Sequence, residues 1–314
     1  MKTSKIDLSI IAPVFNEEIN INTFVKQIDK LLSINNINYE IVFGLDPSED
    51  QTENLILELI KNNNNIKLIT MSRRFGQPAA TLAGLKHSTG NACIVMDVDL
   101  QDPPNVIIDL YNKYKEGYDV VYAKRIKRYG ETKIKLFINY IGYKIINKIA
   151  DVTIPENTGD FRIMSRRVVE SIVSLKEKHG FLRGLVAYVG YSQTFVEYTR
   201  NPRIAGLTKY NKYTGSFKIG FNGIFAFSSK PLKYISLLGL LFSFLSIIFS
   251  IYILTLKIFY DNFVVGYASI VILITFIAGL QFLCLGIVGE YISRIYDEVL
   301  DRPKYIIDKM INFN

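Results

Sequence analysis

Between Leu8 and Met96, short apolar runs alternate with stretches whose apolar residues recur at helical spacing. Leu8-Ser-Ile-Ile-Ala12, closed by Pro13, reads as a strand, and Ile19 to Leu32 carries Ile19, Phe24, Ile28, Leu31 and Leu32 on one helical face. Tyr39–Phe43 predicts the next strand, Thr52–Ile60 a helix, Ile66–Met71 a third strand, Pro78–Lys86 a helix after a Gly-Gln-Pro turn, and Ala92–Met96 a fourth strand. Such alternation predicts an α/β fold with a mainly parallel sheet and helices on both faces. Sheets of that kind bind ligands at the carboxyl ends of their strands, which brings three loops together: Pro13–Glu18, Leu45–Asp50 and Asp97–Pro104. Farther on, Ile134, Ile138, Ile141, Ile145 and Ile149 mark an amphipathic helix lying on protein or at a membrane surface.

The pattern changes after residue 230. Tyr234 to Leu256 and Asn262 to Gly289 contain no charged residue, windows of 23 and 28 residues, where about 20 suffice to span a bilayer. Only Lys257–Asp261 joins them, as in a membrane hairpin. The expected organisation is a cytoplasmic catalytic domain over residues 1–229, a hairpin over 230–292 with spans near 234–256 and 264–289, and a cytoplasmic tail over 293–314. Lys230 and Lys233 before the hairpin and Arg294, Arg302 and Lys304 after it outweigh Lys257 in its loop, which keeps both termini cytoplasmic at the inner membrane. No signal peptide precedes the first strand, in keeping with that orientation.

Charge refines the picture. The net charge is +8, and from Arg200 to Lys233 there are seven Lys or Arg and no acid, a run suited to anionic lipid head groups rather than nucleic acid. Cys93 and Cys284 suggest no disulfide framework, and His87 and His179 lack metal-ligand spacing. Gly286 and Gly289 on the second span allow close helix contacts, which leaves a homo-oligomer open.

The densest chemistry is Asp97-Val-Asp-Leu-Gln-Asp-Pro-Pro104, where an apolar strand ends in three carboxylates and an amide. Packed together these acids repel one another, and a divalent cation is the simplest remedy. If the strand pleat continues, Asp97 and Asp99 point the same way, while Asp102 faces elsewhere and caps the turn or joins the site.

These residues, with Pro13-Val-Phe-Asn-Glu-Glu18, Ser72-Arg-Arg-Phe-Gly76, Asn157-Thr-Gly-Asp-Phe-Arg162, Phe181-Leu-Arg-Gly-Leu185 and Ala205-Gly-Leu-Thr-Lys-Tyr210, resemble in order the motifs of family 2 glycosyltransferases. The nearest branch is similar to the polyprenyl-phosphate glycosyltransferases related to dolichol-phosphate mannose synthase, with a C-terminal membrane hairpin. The resemblance implies a GT-A-type fold and inverting, metal-dependent transfer of a hexose, glucose from UDP-glucose first and other UDP-hexoses or GDP-mannose after it, to a polyprenyl phosphate such as undecaprenyl phosphate. Implied nucleotide-sugar contacts are Pro13, Phe15, Asn16, Glu17, Asp46, Arg73, Gln77, Asp97, Val98 and Asp99. Mg²⁺ or Mn²⁺ falls to Asp99, with Gln101 as a weaker or outer ligand. Asp160, Asp97, Arg125, Arg128 and Arg162 fall at the reacting centre, and Arg125, Arg128, Arg162, Arg183, Lys209 and Tyr210 at the acceptor phosphate. Because a phosphate monoester is largely dianionic at neutral pH, Asp160 is expected to orient substrate rather than act as an obligatory base.

Two positions depart from the family. Leu45 replaces the first of two acids expected near the base, leaving Asp46, and Phe15 stands where a Tyr is usual. Two other readings remain: a processive polysaccharide synthase, disfavoured by the absence of Trp and of further spans, and a membrane-anchored nucleotide-sugar-binding scaffold with a decayed site, disfavoured by the intact acids.

Overall fold

The computed structural model describes residues 6–127, 155, 158–177, 181–201, 228, 230–260 and 266–313. The amphipathic segment around 134–149, Arg128, His179, Lys209 and Tyr210 lie outside them. The chain divides into two compact units, one holding all eight described strands and the residues after Arg302, the other the two long apolar helices.

In the first unit the predicted alternation is realised: β1 (Leu8–Val14), α1 (Glu18–Ile34), β2 (Tyr39–Leu45), α2 (Thr52–Asn62), β3 (Ile66–Met71), α3 (Gln77–His87), β4 (Ala92–Val95) and α4 (Val106–Lys115). Then follow β5 (Val120–Lys127), β6 (Thr158–Ser165), α5 (Arg166–Ser174), α6 (Leu182–Tyr188) and β7 (Gln193–Thr199). Strand β1 is buried along its whole length because its pleat serves two cores. Leu8, Ile10 and Ala12 pack with Phe24 and Ile28 of α1, and Ile11 packs on the other face with Ala83 of α3 and Val168 of α5. A strand covered on both faces needs apolar side chains in both directions, which is why β1 reads as a continuous run rather than an alternating one.

The strand order is β7-β5-β6-β4-β1-β2-β3-β8. Strands β3, β2, β1 and β4 run parallel, whereas β6 pairs antiparallel with both β4 and β5. The chain thus winds one way from β1 to β3 and the other way to β4, so a crevice opens beyond the carboxyl ends of β1 and β4. Both acid-bearing loops, after β1 and after β4, begin there.

At the opposite end of the sheet, Asp119 fixes the start of β5. It is buried and accepts hydrogen bonds from Ser165 Oγ at 2.9 Å, Ser192 Oγ at 2.8 Å and Arg167 Nε at 2.5 Å. The Arg167 bond, with help from the serines, outweighs burial and holds the Asp119 carboxyl well below the usual range. A depressed carboxyl contributes stability above its unfolded pKa of about 4 that is lost as pH falls through the folded value. Asp119→Ala, which orphans the Ser165 hydroxyl, is expected to cost about 2 kcal/mol or more in denaturant unfolding at pH 7 and only modestly less at pH 3, where the folded carboxyl is still charged.

The second unit comprises α7 (Lys230–Tyr260) and α8 (Tyr267–Val299). Both are long and apolar enough to cross a membrane, and none of either apolar window is buried within the protein. Leu240 is 70% exposed and Phe282 73%, far outside what a soluble core helix tolerates. Cys93 and Cys284 are both free thiols.

After α8 the chain returns as β8 (Ile307–Ile311), antiparallel to β3 at the sheet edge. The stretch expected as a tail, 293–314, is more than that: its later part completes the sheet of the first unit. Ser72 N–H donates to Ile306 O at 2.9 Å, and Asn312 Nδ2 donates to Ile66 O at 2.7 Å. The five strand residues are too few and too polar to announce themselves locally.

Candidate active site

Beyond β1, the chain turns through Asn16 with φ of +51°, a left-handed conformation that asparagine tolerates better than most residues. Asn16 N–H donates to Ser48 Oγ at 3.0 Å, and its side-chain oxygen accepts the Glu49 N–H at 2.9 Å. Glu17 N–H donates to Thr52 Oγ1 at 2.8 Å. These bonds tie the first loop to the second, so Pro13–Glu18 and Asp46–Asp50 form one wall.

Asp46 is buried, and its two carboxylate oxygens accept N–H groups of Phe75 at 3.0 Å and Gly76 at 2.8 Å. It therefore shapes the 72–76 loop. Gly76, at φ of +92°, makes the turn into α3 that a side chain would strain. On this loop the guanidinium of Arg74 stacks 3.9 Å from the Phe15 ring centroid, while Arg73 stacks on Phe75 at 4.2 Å. The resemblance pointed to Arg73; Arg74 is the arginine that meets the first loop. Gln77, at the start of α3, donates from Nε2 to Asp97 Oδ1 at 2.8 Å. Val98 is buried in the core, so its side chain cannot meet the nucleotide as expected.

The strand pleat does not orient the acids as expected, because β4 ends at Val95 and the chain turns through Asp97 to Leu100. Leu100 is buried in the core at φ of +56°, a conformation costing a non-glycine residue on the order of 1 kcal/mol or more. The turn nevertheless keeps the acids close. Burial first, then the charges of Asp99, Asp160 and Asp102, push the Asp97 carboxyl up to about 7. That is the signature of acids crowded together and short of counter-charge.

Asp99 is buried and accepts the Gln101 N–H at 3.2 Å. Among the described residues no three acid, His or Cys side chains converge as a ready-made metal cage. The donor set still fits Mg²⁺ or Mn²⁺, since such ions are commonly bound by one or two carboxylates with the rest of the shell from phosphate oxygens and water. Asp99 supplies the carboxylate, with Gln101 beside it.

Across from them lies the basic half of the site. Asp160 receives Arg183 through Nε at 3.0 Å and the second nitrogen at 3.1 Å, and Arg162 at 3.0 Å. Burial alone would raise its pKa, but the charges of Arg183, then Arg162 and Arg125, hold it well below the usual range. A carboxylate so paired is a poor proton acceptor at neutral pH. The acceptor-phosphate role expected of Arg162 is corrected here: none of its side chain is exposed, and it supports Asp160 from beneath. Arg183 and Arg125 keep 25% and 17% of their side chains exposed, enough to reach a ligand.

The reading by motif missed Arg74, Tyr198 and Arg200. Arg200 opens the basic run that the sequence does show, whereas no pattern marks Tyr198. Asp97 and Asp99 thus lie close to a group of arginines, Arg125, Arg183 and Arg200, gathered about Asp102 and Asp160.

The chain is similar in sequence to known proteins. The family model for glycosyl transferase family 2 matches residues 9–173. An uncharacterized glycosyltransferase of Synechocystis sp. is 42% identical over 305 residues, 97% of this chain and 96% of that one. The bactoprenol glucosyl transferase of Shigella phage SfII is 40% identical over 302 residues, 96% of this chain and 97% of that one. A solved structure of glucosyl-3-phosphoglycerate synthase from Mycobacterium tuberculosis, in complex with Mn²⁺, UDP and glucosyl-3-phosphoglycerate, is 15% identical with a TM-score of 0.48, covering 70% of this chain and 77% of that one.

Proposed function

The chain belongs to glycosyl transferase family 2, so it is a glycosyltransferase, and from that premise we propose that it moves glucose from UDP-glucose to a polyprenyl phosphate at a membrane surface. The observation that carries this reading is the division of the crevice into an acidic half at Asp97 and Asp99 and a basic half at Arg125, Arg183 and Arg200. A sugar hydroxyl acceptor would need a base and no such arginines; a phosphate acceptor needs cations and no base. Relatives named bactoprenol glucosyl transferase, about 40% identical over nearly their whole length, support the same choice.

In the proposed reaction an oxygen of the acceptor phosphate attacks the anomeric carbon from the face opposite the leaving group. The new C–O bond forms as the bond to the nucleoside diphosphate breaks, with inversion. Phe15 and Arg74 offer stacking surface for the base, and Asp46 acts on the nucleotide through the loop it holds. Asp97, steadied by Gln77, contacts ribose or sugar. A divalent cation held by Asp99 with Gln101 supplies, when bound, the counter-charge for the departing diphosphate. Arg125 and Arg183, with Arg128, Lys209 and Tyr210 from outside the described residues, hold the acceptor phosphate in line, a proximity effect. Asp160 orients Arg183 and takes no proton.

The two apolar helices form a membrane hairpin in this reading. Strand β8 belongs to the same sheet as β3, which supports a hairpin entered and left on one face of the bilayer, and the basic flanks favour the cytoplasmic face. Holding the enzyme beside its acceptor raises the effective acceptor concentration.

The test is transfer by membrane fractions from radiolabelled UDP-glucose to undecaprenyl phosphate, giving an organic-soluble product. Failure with every nucleotide sugar, or a polymeric product, would overturn the proposal. Because Asp99 and Gln101 alone make an incomplete cation site, Mn²⁺ is expected to bind at least about tenfold more tightly with UDP present, as read by electron paramagnetic resonance. Equal affinity with and without UDP would speak against this ligand set.

A further inference from the structure

Asp102 sits one residue beyond the proposed cation ligands, yet it turns away from them. It is 2% exposed and accepts the hydroxyl of Tyr198. Arg200 Nε lies 3.2 Å from the same carboxylate oxygen, and an Arg125 guanidinium nitrogen 3.7 Å from it. Arg125 Nε in turn donates to the Tyr198 oxygen at 3.0 Å, closing the ring of contacts. Beside Asp102, Gln101 O accepts the Asn201 N–H at 2.9 Å. Tyr198 packs its edge on Phe161, next to Asp160, at 5.9 Å between centroids.

Space for this arrangement comes from β6. A Cβ on Gly159 would lie 2.6 Å from a terminal nitrogen of Arg125 and 3.2 Å from its central carbon. Glycine is needed there because the guanidinium crosses directly over the backbone, one residue before Asp160. Three strands and the acid loop therefore meet at one buried carboxylate. One buried carboxylate faces two guanidiniums that are 17% and 27% exposed, so both keep side-chain surface that a ligand can reach.

We propose that Asp102 is a positioning residue for transfer: through Tyr198 it sets Arg125 and Arg200 as a paired cradle for the acceptor's phosphate, and Arg200 is a phosphate contact. The inference rests on the proposed phosphate acceptor. A buried anion suits this task, since it fixes two long, flexible cations in one geometry and removes the entropy they would lose on binding. The alternative roles for Asp102 are a direct cation ligand or a purely structural residue.

Three variants separate these roles: Asp102→Asn, Tyr198→Phe and Gly159→Ala, the last displacing Arg125 without touching an acid. Each is to be assayed as full-length detergent-solubilised protein, with circular dichroism and thermal unfolding to confirm a folded state. The expected result is a rise of about tenfold to a hundredfold in KM for undecaprenyl phosphate, with UDP affinity and the half-saturating Mn²⁺ concentration unchanged. Arg200→Gln should show the same KM shift. A raised Mn²⁺ requirement in Asp102→Asn alone would make Asp102 a cation ligand and overturn the proposal. Equal loss of UDP and acceptor binding in folded Tyr198→Phe or Gly159→Ala would make the cluster merely structural and overturn it as well.

Titration calorimetry with inorganic phosphate, in the presence of Mn²⁺ and UDP, makes this test independent of the lipid. If the parent enzyme transfers no sugar to polyprenyl phosphate, yet the variants still weaken phosphate binding, the cradle stands and the acceptor assignment falls. Unchanged phosphate binding in all four variants overturns the cradle itself.

Discussion

Asp99→Asn is expected to lower glucosyl transfer by about 10²–10³-fold while leaving the fold intact. The amide oxygen of asparagine can still accept the Gln101 N–H that Asp99 accepts at 3.2 Å, so the turn keeps its shape. What disappears is a negative charge at a buried position beside Asp97. The loss should fall on kcat and on the Mn²⁺ concentration needed for half-maximal rate, with little change in the acceptor KM. Removing the charge also relieves Asp97, whose carboxyl is pushed up by burial and next by Asp99. Radiolabel transfer across a Mn²⁺ titration measures both effects. An Asp99→Asn enzyme with parental rate and metal dependence would remove Asp99 from the site and leave the acid loop without a chemical role.

The second large effect is on Asp160. Asp160→Ala strips the counter-charge from Arg162, whose side chain is wholly buried, and breaking a buried ion pair from one side costs about 3–5 kcal/mol. Arg183, being partly exposed, relaxes toward water and no longer faces the crevice in a fixed geometry.

Asp160→Asn is the finer probe. Its amide oxygen preserves some of the arginine contacts, so it should fold well and lose about ten- to a hundredfold in rate through misplaced Arg183. The acid limb of its pH–rate profile should stay near pH 6, where the acceptor phosphate takes up its second proton. That follows from the sign of the Asp160 shift. Arg183, Arg162 and Arg125 overcome the opposing effect of burial and keep the carboxyl charged far below neutrality. The stability it contributes is therefore present above about pH 4 and is lost only as pH falls through the lower folded value. Disappearance of the acid limb in Asp160→Asn would instead identify Asp160 as the proton acceptor.

Much of the architecture could be read along the chain because it rests on local rules. The continuous apolar run of β1, the helical spacing in α1 and the two charge-free windows each reflect how a short segment meets water or lipid, and neighbours in sequence suffice to reveal that. The acid loop was legible for a similar reason: crowded carboxylates at a strand end announce an electrostatic problem wherever the rest of the chain goes.

Tertiary structure alone decided the partnerships. Asp102 meets Tyr198 across 96 positions of sequence, Asp46 reaches the N–H groups of Phe75 and Gly76, and the last strand crosses back to pair with β3. Arg162 looks like any arginine of a charged motif until β6, the strand that carries it, is placed between β4 and β5. Periodicity reports which face of a segment is buried, but not which distant group will share that burial. A carboxylate's function depends on its partner, and the partner is chosen by strand order.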